Sequence, residues 1–461
     1  MTSGDPENLK SDERKTSNLS TTDKPFIGIR WILVFMLFLT SFNLFFLRNS
    51  IGVIVVAMVN TTHEEDTDYS ADACPEAINQ TEPTNAEVKG PQYYWEPNEQ
   101  GLIIALYFWG YFISRLFLSR LSEKFGQRET LCLVMLSAGI ITLASPWAAS
   151  VSGYFFAATR FLTGISFGPA GAAFYGLLSA WAPKSEMSTM SSLGFSGGTI
   201  GMTLGVFCSG WLSEALGWPS VFYLSGAMQV IVAPFWILLI TNHPFDHKWL
   251  SNYERELLKD KKDIRTKKNV PYFKILTSPY VLILVYCGFA RSWLDQAVNN
   301  EGPSFFGYKI GLDLDIASYV TGASSLSSVV FLLVYGKSTD TIVNKKYLSK
   351  RNTRRLFHII GVGMPTIILL GITWTGCNST AAIIWWILLG ATSVATVSSA
   401  GVSVLDIAPN HTATVNALLG VGSLGAAIAP SAIAALVGTF KRCFSFNAVL
   451  SCHDNNNNKQ Q

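Results

Sequence analysis

Arg48, Arg160 and Arg291 each stand inside a long apolar stretch of this 461-residue chain, in 31–59, 154–181 and 279–298. A charge near the centre of such a stretch costs about 2.5–3.5 kcal/mol on membrane-insertion scales. Arginine keeps its charge in all ordinary surroundings, and its planar fork of donors grips a carboxylate or phosphate through two parallel hydrogen bonds. The chemistry these residues could do is anion recognition; the competing use is to lock helices together through a carboxylate or helix carbonyls. For a single arginine the two uses balance. Three of them favour a site for a small anionic substrate. Asp295 lies four residues after Arg291, one helical turn on, and Asn299, Asn300 and Glu301 continue the polar stripe. Asp295 either neutralises Arg291, or Asp295 or Glu301 is a coupling carboxylate whose affinity for H⁺ or Na⁺ changes as the arginines are occupied. The sequence has no nucleophile–base constellation and no phosphate-cradling glycine loop, so no catalytic residues are assigned and an enzyme is disfavoured. Its seven cysteines show neither metal-ligand spacing nor a disulfide framework, and no metal or cofactor is expected beyond Na⁺ or H⁺ as coupling ion.

The elements that must position these residues are membrane spans. The chain is 49% hydrophobic and only 14% charged, with a mean hydropathy of +0.30, whereas soluble proteins carry about 25% charged residues. The expected class is an all-α polytopic membrane protein whose other partner is the lipid bilayer. The net charge of +3 is segregated into loops and gives no reason to expect nucleic acid. Apolar runs long enough to span cover 31–59, 100–118, 130–150, 154–181, 190–212, 219–240, 279–298, 316–335, 356–375, 381–404 and 414–439, eleven in all. Residues 1–27 lack the apolar core and small-residue cleavage site of a signal peptide, so the first span serves as its own insertion signal.

The division follows: a tail over 1–30, a six-helix half over 31–240, a central loop over 241–278, a five-span half over 279–440 and a polar tail over 441–461. Lys and Arg crowd the first tail, the loop after span 2, the central loop and the loop after span 8, which assigns that side to the cytoplasm. The opposite loop, 60–99, has ten acidic residues and one lysine, and carries sequons at Asn60 and Asn79. Asn60 abuts the membrane, so Asn79 is the better acceptor.

Two loops carry a gate motif. After span 2 comes Ser119-Arg120-Leu121-Ser122-Glu123-Lys124-Phe125-Gly126-Gln127-Arg128; after span 8 comes Gly336-Lys337-Ser338-Thr339-Asp340 and a basic run to Arg355. In each, a carboxylate (Glu123, Asp340) precedes basic residues such as Arg128, a pattern suited to ion pairs that break when this side opens. Both resemble the loop signature of the major facilitator superfamily, and six plus nearly six spans suggests its two related halves. Small-residue spacing at Gly164 and Gly168, and at Gly197, Gly201 and Gly205, reads as close helix packing. Further elements narrow the resemblance: Trp95-Glu96-Pro97 leading to Tyr107-Phe108-Trp109-Gly110-Tyr111, Gly217-Trp218-Pro219, Asn242-His243-Pro244, Leu405-Asp406-Ile407-Ala408-Pro409, and Gly425 to Pro430. Together these are similar to the anion:cation symporters, the group of sialin, the vesicular glutamate transporters and the sodium–phosphate cotransporters.

The resemblance implies a major facilitator fold and a secondary transporter of a carboxylate or inorganic anion: sialate, an acidic amino acid, a urate-like anion or phosphate. It places the protein as a monomer in the plasma membrane or a lysosomal or vesicular membrane. It also implies that Arg48 and Arg160 line a central cavity and that Arg291 bears on transport. The chain departs from the pattern at Phe167, where proton-coupled members have glutamate, at Tyr175 in place of a histidine, and at Ile104. The glutamine-isoleucine-proline-glycine-glycine element of the glutamate transporters becomes Arg115-Leu116-Phe117-Leu118-Ser119. Ordinary proton coupling is therefore not expected. No twelfth span follows 414–439, which reads as a truncated isoform or gene-model artefact; the alternative function is a non-transporting relative acting through protein partners.

If the acidic loop faces the lumen or exterior, Asn79→Gln removes one glycan, seen as a gel-mobility shift in a glycosylating cell. An unchanged band leaves the orientation resting on basic residues alone.

Overall fold

The computed structural model describes residues 28–59, 90–95, 97–119, 121–259, 277–310 and 314–403, with isolated residues between 415 and 428, and all that follows concerns these. Asn60, Asn79, the Asp406–Pro409 element, Pro430 and the 441–461 tail lie outside them, as do the side chains of Glu123 and Glu301. The long helices are α1 (Ile29–Met58), α2 (Pro97–Phe117), α3 (Gln127–Val151), α4 (Gly153–Phe167), α5 (Ala170–Trp181), α6 (Met187–Leu216), α7 (Pro219–Leu239), α8 (Pro279–Ser304), α9 (Leu314–Asn344), α10 (Lys350–Trp374) and α11 (Ser379–Ser393). Ten of the eleven apolar stretches coincide with these helices; most of 414–439 is outside the described residues. Eight candidate spans are long and apolar enough to cross a membrane.

One expected span, Gly153–Trp181, is built of two helices. The run 154–181 is not a single helix but α4 and α5, which meet at Gly168 and Pro169, because proline has no N–H for the ladder and its ring crowds the preceding turn. Elsewhere the ends follow local chemistry. Ser152 accepts from the Phe155 amide at 3.1 Å and Asn378 from the Ala381 amide at 3.1 Å, satisfying donors that the first turn leaves unpaired. Pro219 opens α7, where a missing N–H costs nothing. Past Met58 the chain extends, and the Tyr93 amide donates to the Met58 carbonyl at 2.8 Å, while Trp218 Nε1 donates to Pro91 at 2.8 Å. The end of the acidic loop is thereby folded over α1 and α7.

Lipid offers no hydrophobic drive between helices, so packing depends on backbones that approach closely. α1 lies along α6, α2 along α4, and α3 along α7. Gly197, Gly201 and Gly205 of α6 oppose the carbonyls of Phe38, Phe42 and Phe46, and Gly164 of α4 opposes the Tyr107 carbonyl. In the second half α11 packs on α9 and α10, and α6 runs along α9 to join the halves. Many buried hydroxyls turn back on their own helix, as Thr40 does to the Met36 carbonyl at 2.9 Å, which satisfies them where water is absent. Trp181, Trp218 and Trp236 fill the first half, whereas Trp147, Leu238 and Trp374 face outward. One expectation needs correcting: Cys377, in the α10–α11 loop, is disulfide-bonded, since spacing along a chain does not reveal which distant loops meet.

A Cβ at Gly201 would lie 2.8 Å from Phe42 Cα, whereas one at Gly52 meets nothing within 4 Å. Overpacking costs about 1–3 kcal/mol. Gly201→Val is therefore expected to lower the melting temperature in detergent by several degrees, with Gly52→Ala unchanged.

Candidate functional site

A cavity of about 350 Å³ lies between the halves, walled by α1, α2, α5 and α6 on one side and α8, α9 and α11 on the other. Its charged lining residues are Arg48, Arg115, Arg291 and Asp295. The Arg48 guanidinium sits 5.4, 5.0 and 5.8 Å from the ring centres of Phe45, Phe108 and Tyr111, and its buried Nε has no hydrogen-bond partner. Aromatic faces steady a cation by about 0.5–2 kcal/mol without cancelling its charge. Arg115, one turn below Tyr111, lies 5.6 Å from the same ring and donates from Nη1 to the Tyr111 hydroxyl at 3.1 Å. Arg291 is held differently: Nε donates to Asp295 Oδ2 at 2.7 Å, and Nη1 to the Ser393 carbonyl at 2.9 Å. The pairing reading of Asp295 is thus the geometry observed.

Opposite the Arg48–Arg115 wall, Thr321, Ser324, Ser325 and Ser328 form a stripe along α9. Ser324 donates to the Trp386 carbonyl at 3.0 Å, Ser325 to Thr321 at 3.1 Å, and Ser328 to Gly390 at 2.9 Å.

Arg160 is not brought into this cavity. It is 1% exposed, lies 5.2 Å from the Tyr107 ring centre, and its Nε and Nη2 have no hydrogen-bond partner. Tyr107 in turn stacks nearly parallel on Tyr111, 6.3 Å between centres at 6°. Arg160 therefore reaches the cavity through two tyrosine rings. Phe167 is buried in the core of the first half, while Tyr175 lines the cavity within electrostatic reach of Arg115 and Arg291.

At the end bearing the basic loops, the halves are tied across a polar seam. Asp340 accepts from the amides of Ser188 and Thr189 at 3.1 and 2.7 Å, and from the Thr189 hydroxyl at 2.8 Å. These amides open α6, where unpaired N–H groups and the helix dipole favour a carboxylate. Arg354 donates to Ser188 Oγ at 3.0 Å and to the Ser398 carbonyl at 2.7 Å. Arg128 stays within the first half, bound to Glu129 at 2.5 Å and to the Ile240 carbonyl at 3.1 Å. Two further contacts went unread in the sequence. Glu254, 1% exposed in the short helix Asn252–Leu257, accepts from the Ile29 and Arg30 amides at 3.3 Å each, and Arg30 reaches Glu186 at 2.9 Å.

Residues 33–430 match the family model of the Major Facilitator Superfamily. The chain belongs to this superfamily. Among its curated relatives are sialin and vesicular glutamate transporters, two of the groups that the motifs resemble. Sialin from Homo sapiens is 26% identical over 386 residues, covering 83% of this chain and 77% of sialin. Vesicular glutamate transporter 1 from Bos taurus is 26% identical over 417 residues, covering 88% and 71%. A probable small intestine urate exporter from Mus musculus is 26% identical over 421 residues, covering 88% and 84%. Among solved structures, the fold matches the proton:xylose symporter XylE bound to 6-bromo-6-deoxy-D-glucose, with a TM-score of 0.62 at 15% identity over 87% of this chain and 86% of that one. The protein is a multi-pass membrane protein of a transporter superfamily, and its relatives are not enzymes.

In this superfamily member the Asp340 seam is open to a direct test. Hydrogen bonds to a charged group contribute about 1.5–3 kcal/mol, so Asp340→Asn weakens the seam by about tenfold or more in population. A cysteine placed at Ser192, which faces Ser398 at 3.3 Å, is expected to be alkylated correspondingly faster in the Asp340→Asn background. Equal rates remove Asp340 from the gate.

Proposed function

We propose that this protein is a secondary transporter of a small organic or inorganic anion, working by alternating exposure of the seam cavity to the two sides of a membrane. What carries the reading is the convergence of Arg48, Arg115 and Arg291 on one cavity at the junction of the halves. Two relatives are named for the anions glutamate and urate. An anion entering the cavity replaces weak π contacts at Arg48 with charge-assisted bonds of about 1.5–3 kcal/mol each, so the guanidinium is steadied while empty and still available. The basic end is the cytoplasmic one, and the Asp340 and Arg354 contacts part when that side opens. Arg160 acts as a positioning residue, holding Tyr107 and through it the Tyr111 ring.

Coupling runs through Asp295. Phe167 has no proton to exchange, and Asp295 is the carboxylate among the described lining residues. When an anion takes up Arg291, Asp295 gives up its share of the pair and gains affinity for H⁺ or Na⁺. Transport is then less steeply dependent on a proton gradient than in relatives with a glutamate at the Phe167 position.

The test is uptake of labelled glutamate, urate, sialate and phosphate by proteoliposomes, with and without Na⁺ and H⁺ gradients. Uptake no greater than in protein-free vesicles overturns the reading. Arg48→Lys is expected to lower kcat/KM about 10- to 100-fold, since an ammonium loses the bidentate grip; a fully active lysine variant would reduce Arg48 to a bare charge. Asp295→Asn is expected to abolish cation dependence while anion exchange persists. Loss of all activity, restored in Asp295→Asn/Arg291→Gln, would mark the pair as architectural instead.

A further inference from the structure

We infer that the turn between α9 and α10 is a binding surface for an anionic lipid whose headgroup carries two or more phosphates. Lys345, Lys346, Lys350, Arg351, Arg354 and Arg355 crowd one short run, and no Asp or Glu occurs between residues 341 and 378. A cytoplasmic loop needs no more than an excess of positive charge, and the matching loop of the first half is mixed. There Arg120, Lys124 and Arg128 stand among Glu123 and Glu129, and Arg128 is bound to Glu129 at 2.5 Å. The second-half loop has no carboxylate past Asp340, which is turned inward onto the Ser188 and Thr189 amides. Arg354 is likewise turned inward, to Ser188 Oγ and the Ser398 carbonyl. Lys345, Lys346, Arg351 and Arg355 are exposed, and among the described residues none of the four meets a carboxylate.

The turn has a fixed shape at headgroup level. The candidate spans Tyr319–Asn344 and Lys350–Trp374 end and begin on either side of it, which sets its cations where anionic headgroups lie. The Tyr347 amide donates to the Ile342 carbonyl and the Lys346 amide to the Val343 carbonyl, both at 3.1 Å, and Ser349 Oγ accepts from the Asn352 amide at 3.3 Å. Among the described residues Lys346 is the one non-glycine in the left-handed region, at φ 57°, where glycine sits with less strain. A lysine there strains the turn, and its exposed side chain adds nothing to the packing beneath; what it contributes lies outside the protein. Arg351 and Arg355 stand four apart on one face of α10, a spacing that turns two guanidinium forks toward the same phosphates. Between the lysine pair and the arginine pair, Tyr347 and Leu348 are 70% and 39% exposed. An aromatic and an aliphatic side chain suit the boundary between headgroup and acyl chain. The surface lies outside the cavity and stands whatever anion is carried.

The experiment titrates fluorescent phosphatidylinositol 4,5-bisphosphate into the full-length protein in neutral detergent micelles and reads anisotropy, with phosphatidylserine and soluble inositol 1,4,5-trisphosphate as competitors. Each Lys or Arg near an anionic surface contributes about a fivefold factor, so Lys345→Gln/Lys346→Gln/Arg351→Gln/Arg355→Gln is expected to weaken binding by about 100-fold or more. The variant Lys124→Gln/Lys248→Gln/Arg255→Gln/Lys259→Gln removes the same charge from other exposed positions on that side and is expected to bind as wild type does. Equal loss in both variants would trace the effect to overall charge and overturn the proposal. Lys346→Gly separates binding from folding: it is expected to bind about fivefold more weakly while melting close to wild type, since glycine accepts this backbone. Wild-type binding by the first variant, or no binding of the lipid by wild type, would also overturn the proposal. Phosphatidylserine competing as strongly as the bisphosphate lipid would overturn the call for several phosphates. Soluble trisphosphate competing as strongly would make this a site for free phosphates and overturn the assignment to lipid.

Discussion

A guanidinium inside a bilayer has to be held by something other than water, and the way this chain holds four of them sets the architecture around the cavity. Arg48 is wrapped by three aromatic rings, Arg160 lies on Tyr107, Arg115 on Tyr111, and Arg291 is bound to Asp295. Rings and carboxylates do different things to a cation. A carboxylate cancels its charge, whereas a ring lowers its energy and leaves the field intact. Tyr107, Tyr111 and Arg115 recur at four-residue steps on one face of α2, so a single helix face brings together Arg48, Arg115 and Arg160. That face can meet Arg160 only because glycines of α4 let its backbone touch α2.

Much of this was legible in the sequence, and what was not has a common cause. Spans declare themselves by length and apolarity, but the break at Gly168–Pro169 did not, since both residues sit comfortably in an apolar run. Arg48 and Arg291 stood out because charge in such a run is costly. Arg160 stood out for the same reason, yet its cost said nothing about whether it faces the cavity or a neighbouring helix; that depends on how α4 is turned against α2. Arg115 was passed over because it lies at the edge of its stretch, beside a basic loop, where an arginine is ordinary. Asp340 was visible as a motif residue, but its partners at the start of α6 lie about 150 residues away in sequence and belong to the tertiary fold. Glu254 gave no local sign at all: in a run of charged residues, the one that becomes buried is indistinguishable from its neighbours.

The departures from the symporter pattern fall into place spatially. Phe167 and Tyr175 occupy positions where a titratable group is usual in that pattern, and here one is core and the other is cavity wall. Asp295, on the other side of the cavity, is the carboxylate among the described lining residues.

α6 makes its most extensive contacts with α1 and α9, and the two differ in kind. Against α1 it meets largely backbone with backbone, Gly197, Gly201 and Gly205 against the carbonyls of Phe38, Phe42 and Phe46. Against α9 it meets through side chains: Ser192 over Gly336, Phe207 over Gly322, and Asp340 on the first turn. The molecule consequently has a grain. Strain applied anywhere in the first half is carried through α1 and α6 as through one solid piece, and it finds relief where rotamers can turn, along α9. The cleavage plane runs along the wall of the cavity, so whatever occupies that space sits on the fault.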